Sequence, residues 1–485
     1  MSKFNQTNTM KTTNKCGHVA YDMKDVDKLV TQVLTTFFGE QKFYGDNSNA
    51  LVKNAEKIAK TNPRFVSNLA RVARKEYHLR SVSHVLTCIV AHEIESKPYI
   101  KETVYDVVER ADDITEILSC YLSMYGKPIP NGLKKALGTA LTKFNEFQIS
   151  KYNGGSKSIK FRDVLRITHV KPKNNREQEL FNKIINDTLP IATRWETELS
   201  ANGNNKATWE SLIENNQLGY MAMLRNLRNI LNAQPNNIDK VFSKLEDKEE
   251  VLKSKQLPFR YFSAYREVMG LSNCSSKVLD VLENAIEHSV ENLPKLKGKT
   301  VIAIDVSGSM NAFISANSTV SCADIATLLG VLASRMCEDY IVYTFDTSLY
   351  DKTFSSRSGI IDTALKMKSS GGGTDIELPL RKMIHDKIQA DRLIILSDNE
   401  INSGWDGGYI RTCQSFADTY RKQVNPNLWV HAVDLQGYGT QQFIGGKTNI
   451  VAGWSERLLE FMNLAEQGID TQVDYIANYH ISDLD

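Results

Sequence analysis

The sequence predicts an α plus α/β protein, with a helical array over residues 21–298 followed by a doubly wound α/β domain over 299–485. Three observations carry that prediction. Apolar residues recur at helical spacing from Tyr21 to Leu293. After Lys295-Leu-Lys-Gly-Lys299 the pattern changes to apolar strands alternating with amphipathic helices, as in a sheet covered on both faces. The run Val301-Ile-Ala-Ile304 then stops at Asp305-Val-Ser-Gly-Ser309, so oxygen-bearing side chains gather at the carboxyl end of a buried-type strand. Open α/β sheets place their sites there.

In chain order, residues 1–20 are polar, with no apolar stretch of signal-peptide type, and read as a flexible tail. A helix follows over 27–38, stopped by Gly39. Short amphipathic segments come next at 55–59, 63–77, 81–95, 104–108, 114–125 and 133–147, with Pro63 suited to a helix start. Pro98, Gly126, Pro128, Pro130 and Gly132 punctuate the series. Short helices joined by short connections over this length suggest stacked helical repeats. No strict sequence period is present, so the repeats are divergent or the region is an ordinary irregular helical domain. Beyond the 295–299 hinge, the prediction is a helix at 323–335, strands at 339–345 and 348–354, and a helix at 376–388. A strand at 392–397, a helix at 409–422, a strand at 428–433 and a helix at 456–463 complete it.

Length and composition suit a soluble chain of two or three domains. No apolar run is long enough to span a membrane. Seven scattered cysteines without a Cys-x-x-Cys pair fit reduced thiols in a cytoplasmic protein, and Cys16-Gly-His18 has no companion ligands. The net charge of +2 hides an asymmetry: 45 basic against 34 acidic residues before position 301, and 14 against 23 from there on. A basic front attracts polyanions, nucleic acid among them, although the same asymmetry also serves solubility.

Asp305, Ser307 and Ser309 are joined by two later segments. Ser369-Ser-Gly-Gly-Gly-Thr-Asp375 presents Thr374 on a flexible loop, and Leu393-Ile-Ile-Leu-Ser-Asp398 is a second apolar strand ending in a carboxylate. Two carboxylates and three hydroxyls make a hard, all-oxygen donor set for a small divalent cation such as Mg²⁺, left open to an acidic group from a ligand. This set resembles the metal-ion-dependent adhesion site of von Willebrand factor A domains, with all five positions matched. Asp346 is a candidate outer-shell acid outside the set.

Basic residues crowd one part of the helical half. Lys134, Lys135, Lys143, Lys151, Lys157, Lys160, Arg162, Arg166, His169, Lys171 and Lys173 lie around Gly154-Gly155-Ser156, with Tyr152 and Phe161 among them. Such a cluster tracks phosphates while an aromatic ring stacks on a base; a solvated cationic face is the alternative. Arg71, Arg74 and His78 share a helix face. Arg225 and Arg228 are three apart on a helix starting near Leu218, and Arg260 and Arg266 interleave with Tyr261, Phe262 and Tyr265. That pattern suits a channel for a single strand, or arginines that cap and pair inside the array.

Six blocks carry a second resemblance: Arg71-Val-Ala-Arg74, Arg80-Ser-Val-Ser-His-Val-Leu86, Arg162-Asp-Val-Leu-Arg-Ile-Thr-His-Val-Lys-Pro172, Trp209-Glu-Ser-Leu-Ile213, Gly219-Tyr-Met-Ala-Met-Leu-Arg-Asn-Leu-Arg228 and Leu257-Pro-Phe-Arg-Tyr-Phe-Ser-Ala-Tyr265. They look like the TROVE module, which with a von Willebrand A domain makes up the Ro 60 kDa autoantigen family. The resemblance implies a ring of HEAT-like repeats closed by the A domain. It also implies binding of Y RNA-like small RNAs and of single-stranded 3′ ends of misfolded RNA, with an exoribonuclease as a further partner. Lys151 and His169 stand at positions that contact RNA in the family, and Asn153, Gly154 and Gly155 make the intervening loop less basic than the family's.

No nucleophile, general base and oxyanion set is visible, and two aspartates with three hydroxyls are a poor two-metal nuclease site. The expectation is a monomeric, non-enzymatic RNA-binding scaffold. The alternative is a protein-interaction module whose metal captures an acidic residue of a partner.

Overall fold

The computed structural model describes residues 11–14, 16–34, 46–153, 158–190, 194–256, 258–291, 295–313, 320–355, 357–367, 371–401, 412–452, 462–463, 465–467 and 472–480. A helical region precedes a mixed sheet, as the sequence predicts. The chain forms two compact units, one of Asp25–Arg194 with Val473–Asp485, the other of Met1–Lys24 with Trp195–Gln472. Helices from Trp195 onward share a unit with the sheet.

In the first unit, helix Pro63–Lys75 starts where Pro63 dispenses with an N–H and the Asn62 side chain caps Phe65. Its Arg71 and Arg74 are interior struts, not an outward cationic face. Arg71 Nε lies 2.6 Å from Asp106 Oδ2, and Arg74 Nη2 lies 3.0 Å from Asp113 Oδ2. Asp113 also takes Arg80 Nε at 2.6 Å and the backbone N–H of Arg110 at 2.9 Å. Burial pushes the Asp113 carboxyl up, but His84, Arg74 and Arg80 hold it well below the usual carboxylate range. The helix expected over 133–147 is two, Asn131–Leu141 and Glu146–Ser150, because Asn145 caps the second through a reciprocal bond with Gln148. Helix Phe161–Thr168 packs against Asn131–Leu141 at Gly138, where a Cβ would come within 2.9 Å of Val170.

The second unit carries the strands β1 (Lys11–Thr13), β2 (Val19–Asp22), β3 (Leu296–Asp305), β4 (Cys337–Phe345), β5 (Leu349–Lys352), β6 (Arg392–Ser397), β7 (Trp429–Asp434), β8 (Thr440–Gln441) and β9 (Thr448–Ala452). The main sheet runs β5-β4-β3-β6-β7-β9, parallel except for the edge strand β5. Strand order reverses between β3 and β6, which makes the carboxyl end of that pair the topological switch point. Val301, Ala303, Leu393, Ile395, Val430 and Ala432 pack one face against helices Leu378–His385 and Cys413–Gln423. The alternate residues Ile304 and Leu396 meet helix Cys322–Met336 at Gly330, where a Cβ would lie 2.3 Å from Ile304. Period-two alternation thus buries both faces, as a doubly wound sheet requires.

Several expectations are corrected. Residues 11–13 and 19–22 of the expected tail form strands, β2 pairing antiparallel with β1 and with β8. The 295–299 hinge is mostly the start of β3, irregular between Leu296 and Lys299. The helix expected to carry both Arg225 and Arg228 breaks at Asn226 into Tyr220–Arg225 and Leu227–Ala233. The first helix is described over Asp25–Leu34, and the rest of the 27–38 segment and most of 456–463 lie outside the described residues.

Behind the sheet, Arg392 pairs with Glu466 at 2.6 Å, and His431 Nε2 lies 2.9 Å from the same carboxylate. Burial pushes Glu466 up, and bonds from Arg392 and His431 overcome it, leaving the carboxyl at about 2. Burial lowers His431, so it stays neutral in the fold. Both groups bind protons less readily folded than unfolded. Stability therefore falls as pH drops below about 6.5 for His431, and from about 4.5 down to about 2 for Glu466. Urea midpoints should show Glu466→Gln weaker than wild type at pH 7 and equal to it near pH 2. An unchanged gap at both pH values would contradict this assignment.

Candidate metal site and nucleic-acid surface

β3 ends at Asp305 and β6 at Ser397, so Asp305 and Asp398 meet at the switch point. Asp305, Ser307, Thr374 and Asp398 are buried, whereas Ser309 is exposed. Ser307 N–H donates to Asp305 Oδ1 at 2.9 Å, and Ser397 Oγ donates to Asp305 Oδ2 at 2.6 Å. The Ser307 and Ser309 hydroxyls are 3.2 Å apart. Gly308 N–H donates to Gly372 O at 2.9 Å, which draws the loop carrying Thr374 over the β3 turn. The structure thus brings Asp305, Ser307, Ser309 and Asp398 to the carboxyl end of β3 and β6, with the loop that carries Thr374 tied to the β3 turn.

Burial, then the Asp398 charge, pushes the Asp305 carboxyl up to about 7 against bonds from Ser307 and Ser397. Asp434, at the end of β7, is likewise pushed up to about 7 by burial. Among the described residues no three or more His, Cys, Asp or Glu side chains converge as a metal cluster. The donor set here is different in kind: two carboxylates and three hydroxyls, all hard oxygens at one strand edge, with two buried acids crowding each other. That chemistry fits a small divalent cation. Asp346 is buried, and its side chain is turned back on its own loop, accepting from Ser348 N–H at 2.8 Å.

Gly371 is the tightest point. A Cβ there would lie 2.3 Å from Val306 O and 2.5 Å from Ser307 Cα, both backbone. Gly372 has only the Thr347 side chain at 3.2 Å. Gly371→Ala is expected to lower stability by about 1–3 kcal/mol, with Gly372→Ala close to wild type. Urea midpoints for the pair check this, and equal midpoints would remove the constraint.

The basic stretch shows a different economy of charge. Lys134 and Lys135 rise from helix Asn131–Leu141, Arg162 and Arg166 from Phe161–Thr168, and His169 caps the latter in the left-handed region at φ 50°. Lys135, Arg166, His169 and Lys171 are exposed, and Lys134, Lys151, Tyr152 and Arg162 half-buried. Among the described residues, none of these cations forms an ion pair with a carboxylate, in contrast to Arg71, Arg74 and Arg80. Lys151 Nζ sits 5.4 Å from the Tyr152 ring centroid and the Arg110 guanidinium 4.9 Å. Phe147, just ahead of Lys151, is 58% exposed. Lys157 and the Gly154-Gly155-Ser156 loop lie outside the described residues.

Arg225, Arg228 and Arg260 belong to the other unit. Arg228 is neutralised by Glu267 at 3.2 Å. Burial and then the Arg225 charge push the Arg260 guanidinium down to about 10, so these two form a like-charged pair. Tyr261, Phe262 and Tyr265 are buried and offer no stacking face, and Arg266 pairs with Asp324 at 2.6 Å. The sequence reading missed Arg110 and Ser397. Nothing marks Arg110 locally, whereas Ser397 immediately precedes the strand-ending aspartate.

Comparison with known proteins adds the family. The TROVE-domain family model matches residues 9–190 and 186–306, and the Ro60 von Willebrand A domain model matches 299–432. The chain belongs to the Ro60 family. Among curated relatives, RNA-binding protein RO60 of Caenorhabditis elegans is 24% identical over 255 residues, 49% of this chain and 38% of that protein. Telomerase protein component 1 of Rattus norvegicus is 21% identical over 293 residues, 43% of this chain but 11% of its own length. The chain thus spans well under half of these relatives. The crystal structure of the Deinococcus radiodurans Ro (RSR) protein superposes with a TM-score of 0.64 at 14% identity, over 92% of this chain and all of that one, which establishes the shared fold. Among the described residues no helix is long and apolar enough to cross a membrane.

Proposed function

We propose that this Ro60-family chain is a cytoplasmic RNA-binding scaffold, not an enzyme, that holds small structured Y RNA-like molecules and single-stranded 3′ ends of misfolded RNA. The observation that carries the proposal is the set of cations at 134–171 without carboxylate partners among the described residues, set around Tyr152, in a unit whose Arg71, Arg74 and Arg80 are paired with carboxylates. Leaving cations together unneutralised costs stability unless a polyanion supplies the countercharge, and phosphates do so while Tyr152 and exposed Phe147 accept unpaired bases. The name of the worm relative, an RNA-binding protein, supports this reading.

The site at the switch point adds a second contact. Asp305 and Asp398 with Ser307, Ser309 and Thr374 would hold Mg²⁺, which when bound supplies a Lewis-acidic position for a carboxylate from a partner, an exoribonuclease being one candidate. Ser397 orients Asp305 and keeps its second oxygen from turning away. The test is binding of a structured RNA with a single-stranded 3′ tail, with and without EDTA, against a tail-less control. The expected result is tail-dependent binding that survives EDTA. Binding no tighter than to an unrelated polyanion would refute the RNA reading, and loss on chelation would move it to the metal.

A further inference from the structure

The small sheet made by β1, β2 and β8 grips the loop that carries Asp398 from two directions. Asn14, 5% exposed, closes the turn between β1 and β2: its backbone N–H donates to His18 O at 2.9 Å, and its Oδ1 accepts from His18 N–H at 2.8 Å. Its remaining side-chain donor, Nδ2, reaches 387 residues along the chain to Ile401 O at 2.8 Å. From the other side Gln442, next to β8, donates through Nε2 to Asn399 O at 2.9 Å in a buried bond. Asn399, the first of these anchors, sits at φ 61°, in the left-handed region that asparagine adopts more readily than most non-glycine residues. Ser397 Oγ fixes its N–H at 3.1 Å. Met23, just past β2, is buried in the core under the main sheet, which ties the hairpin to the same body.

The segment Asp398-Asn399-Glu400-Ile401 is thus a turn held at two of its carbonyls by side chains from the 11–22 hairpin and from beside β8. We infer that the hairpin of residues 11–22 is a positioning element for the metal site, with Asn14 setting the turn that presents Asp398 to the cation. This rests on the Mg²⁺ reading above. It assigns a role to residues that the sequence reads as a tail, and it makes the amino-terminal segment and the cation mutually dependent. By linkage, whatever factor the docked hairpin adds to cation affinity, the cation adds to docking of the hairpin.

Asn14→Asp discriminates. It keeps the acceptor that closes the hairpin and removes the donor to Ile401. Calorimetric titration with Mn²⁺ is expected to show wild type binding, Asp398→Ala not binding, and Asn14→Asp binding about tenfold more weakly, the low end of the cost of losing a bond to a metal ligand, because Asn14 acts on Asp398 through the turn. Melting temperatures in EDTA establish that each variant is folded. Hydrogen exchange on the wild type supplies a readout free of variants: saturating Mn²⁺ should slow exchange in residues 11–14 and 19–22 as well as in 399–401. No Mn²⁺ binding to wild type would refute the metal reading itself. Mn²⁺ binding with unchanged hairpin exchange, or equal affinity in a folded Asn14→Asp, would overturn the positioning role alone.

Discussion

Asp113→Ala will lose about 3–5 kcal/mol of stability, the usual consequence of stripping one partner from a buried ionic network. Asp113 is fully buried and is shared by Arg74 at 3.0 Å, Arg80 at 2.6 Å and two backbone N–H groups at 2.9 and 3.1 Å. Removing it leaves the Arg74 guanidinium inside the unit with a carbonyl, Val107 O, and a more exposed Glu109. A loss of this size is a large part of a domain's total stability. Urea denaturation followed by circular dichroism checks it. A loss under about 1 kcal/mol would mean that water replaces the carboxylate and that the network is dispensable.

Alanine at Lys134, Lys151 and Arg166 together will weaken binding of a tailed RNA roughly 100-fold at constant salt, at about 1 kcal/mol for each charged contact. None of the three has a carboxylate partner among the described residues, so their removal breaks no ion pair and the fold should melt as wild type does. The same triple substitution in a carboxylate-paired set such as Arg71, Arg74 and Arg80 would unfold the helices instead. Filter binding alongside a melting curve separates the two. An unchanged affinity in the folded triple variant would leave these residues as a solvated face.

The main sheet was legible in the sequence because its strands are local. Val301 to Ile304 and Leu393 to Leu396 are continuous apolar runs, the first followed at once by Asp305 and the second by Ser397 and then Asp398. What was not legible depends on partners far along the chain. Arg71 and Arg74 look like a cationic helix face until Asp106 and Asp113, more than 30 residues on, are seen to neutralise them. Residues 11–22 look like a tail because the alternation of Val19-Ala-Tyr-Asp22 is too short to announce a strand without its partner at 440–441. Tyr261 and Phe262 look like stacking platforms by composition, but they are core residues of helix Pro258–Met269.

The central claim is that the cations at 134–171 meet RNA phosphates. Its most direct test is the slope of log affinity against log salt for wild type and for the Lys134, Lys151 and Arg166 triple alanine variant, with one tailed RNA. Three lost phosphate contacts predict a slope shallower by about 2 in the variant. Parallel lines for the two proteins would contradict the account, because they would place the RNA phosphates on other residues.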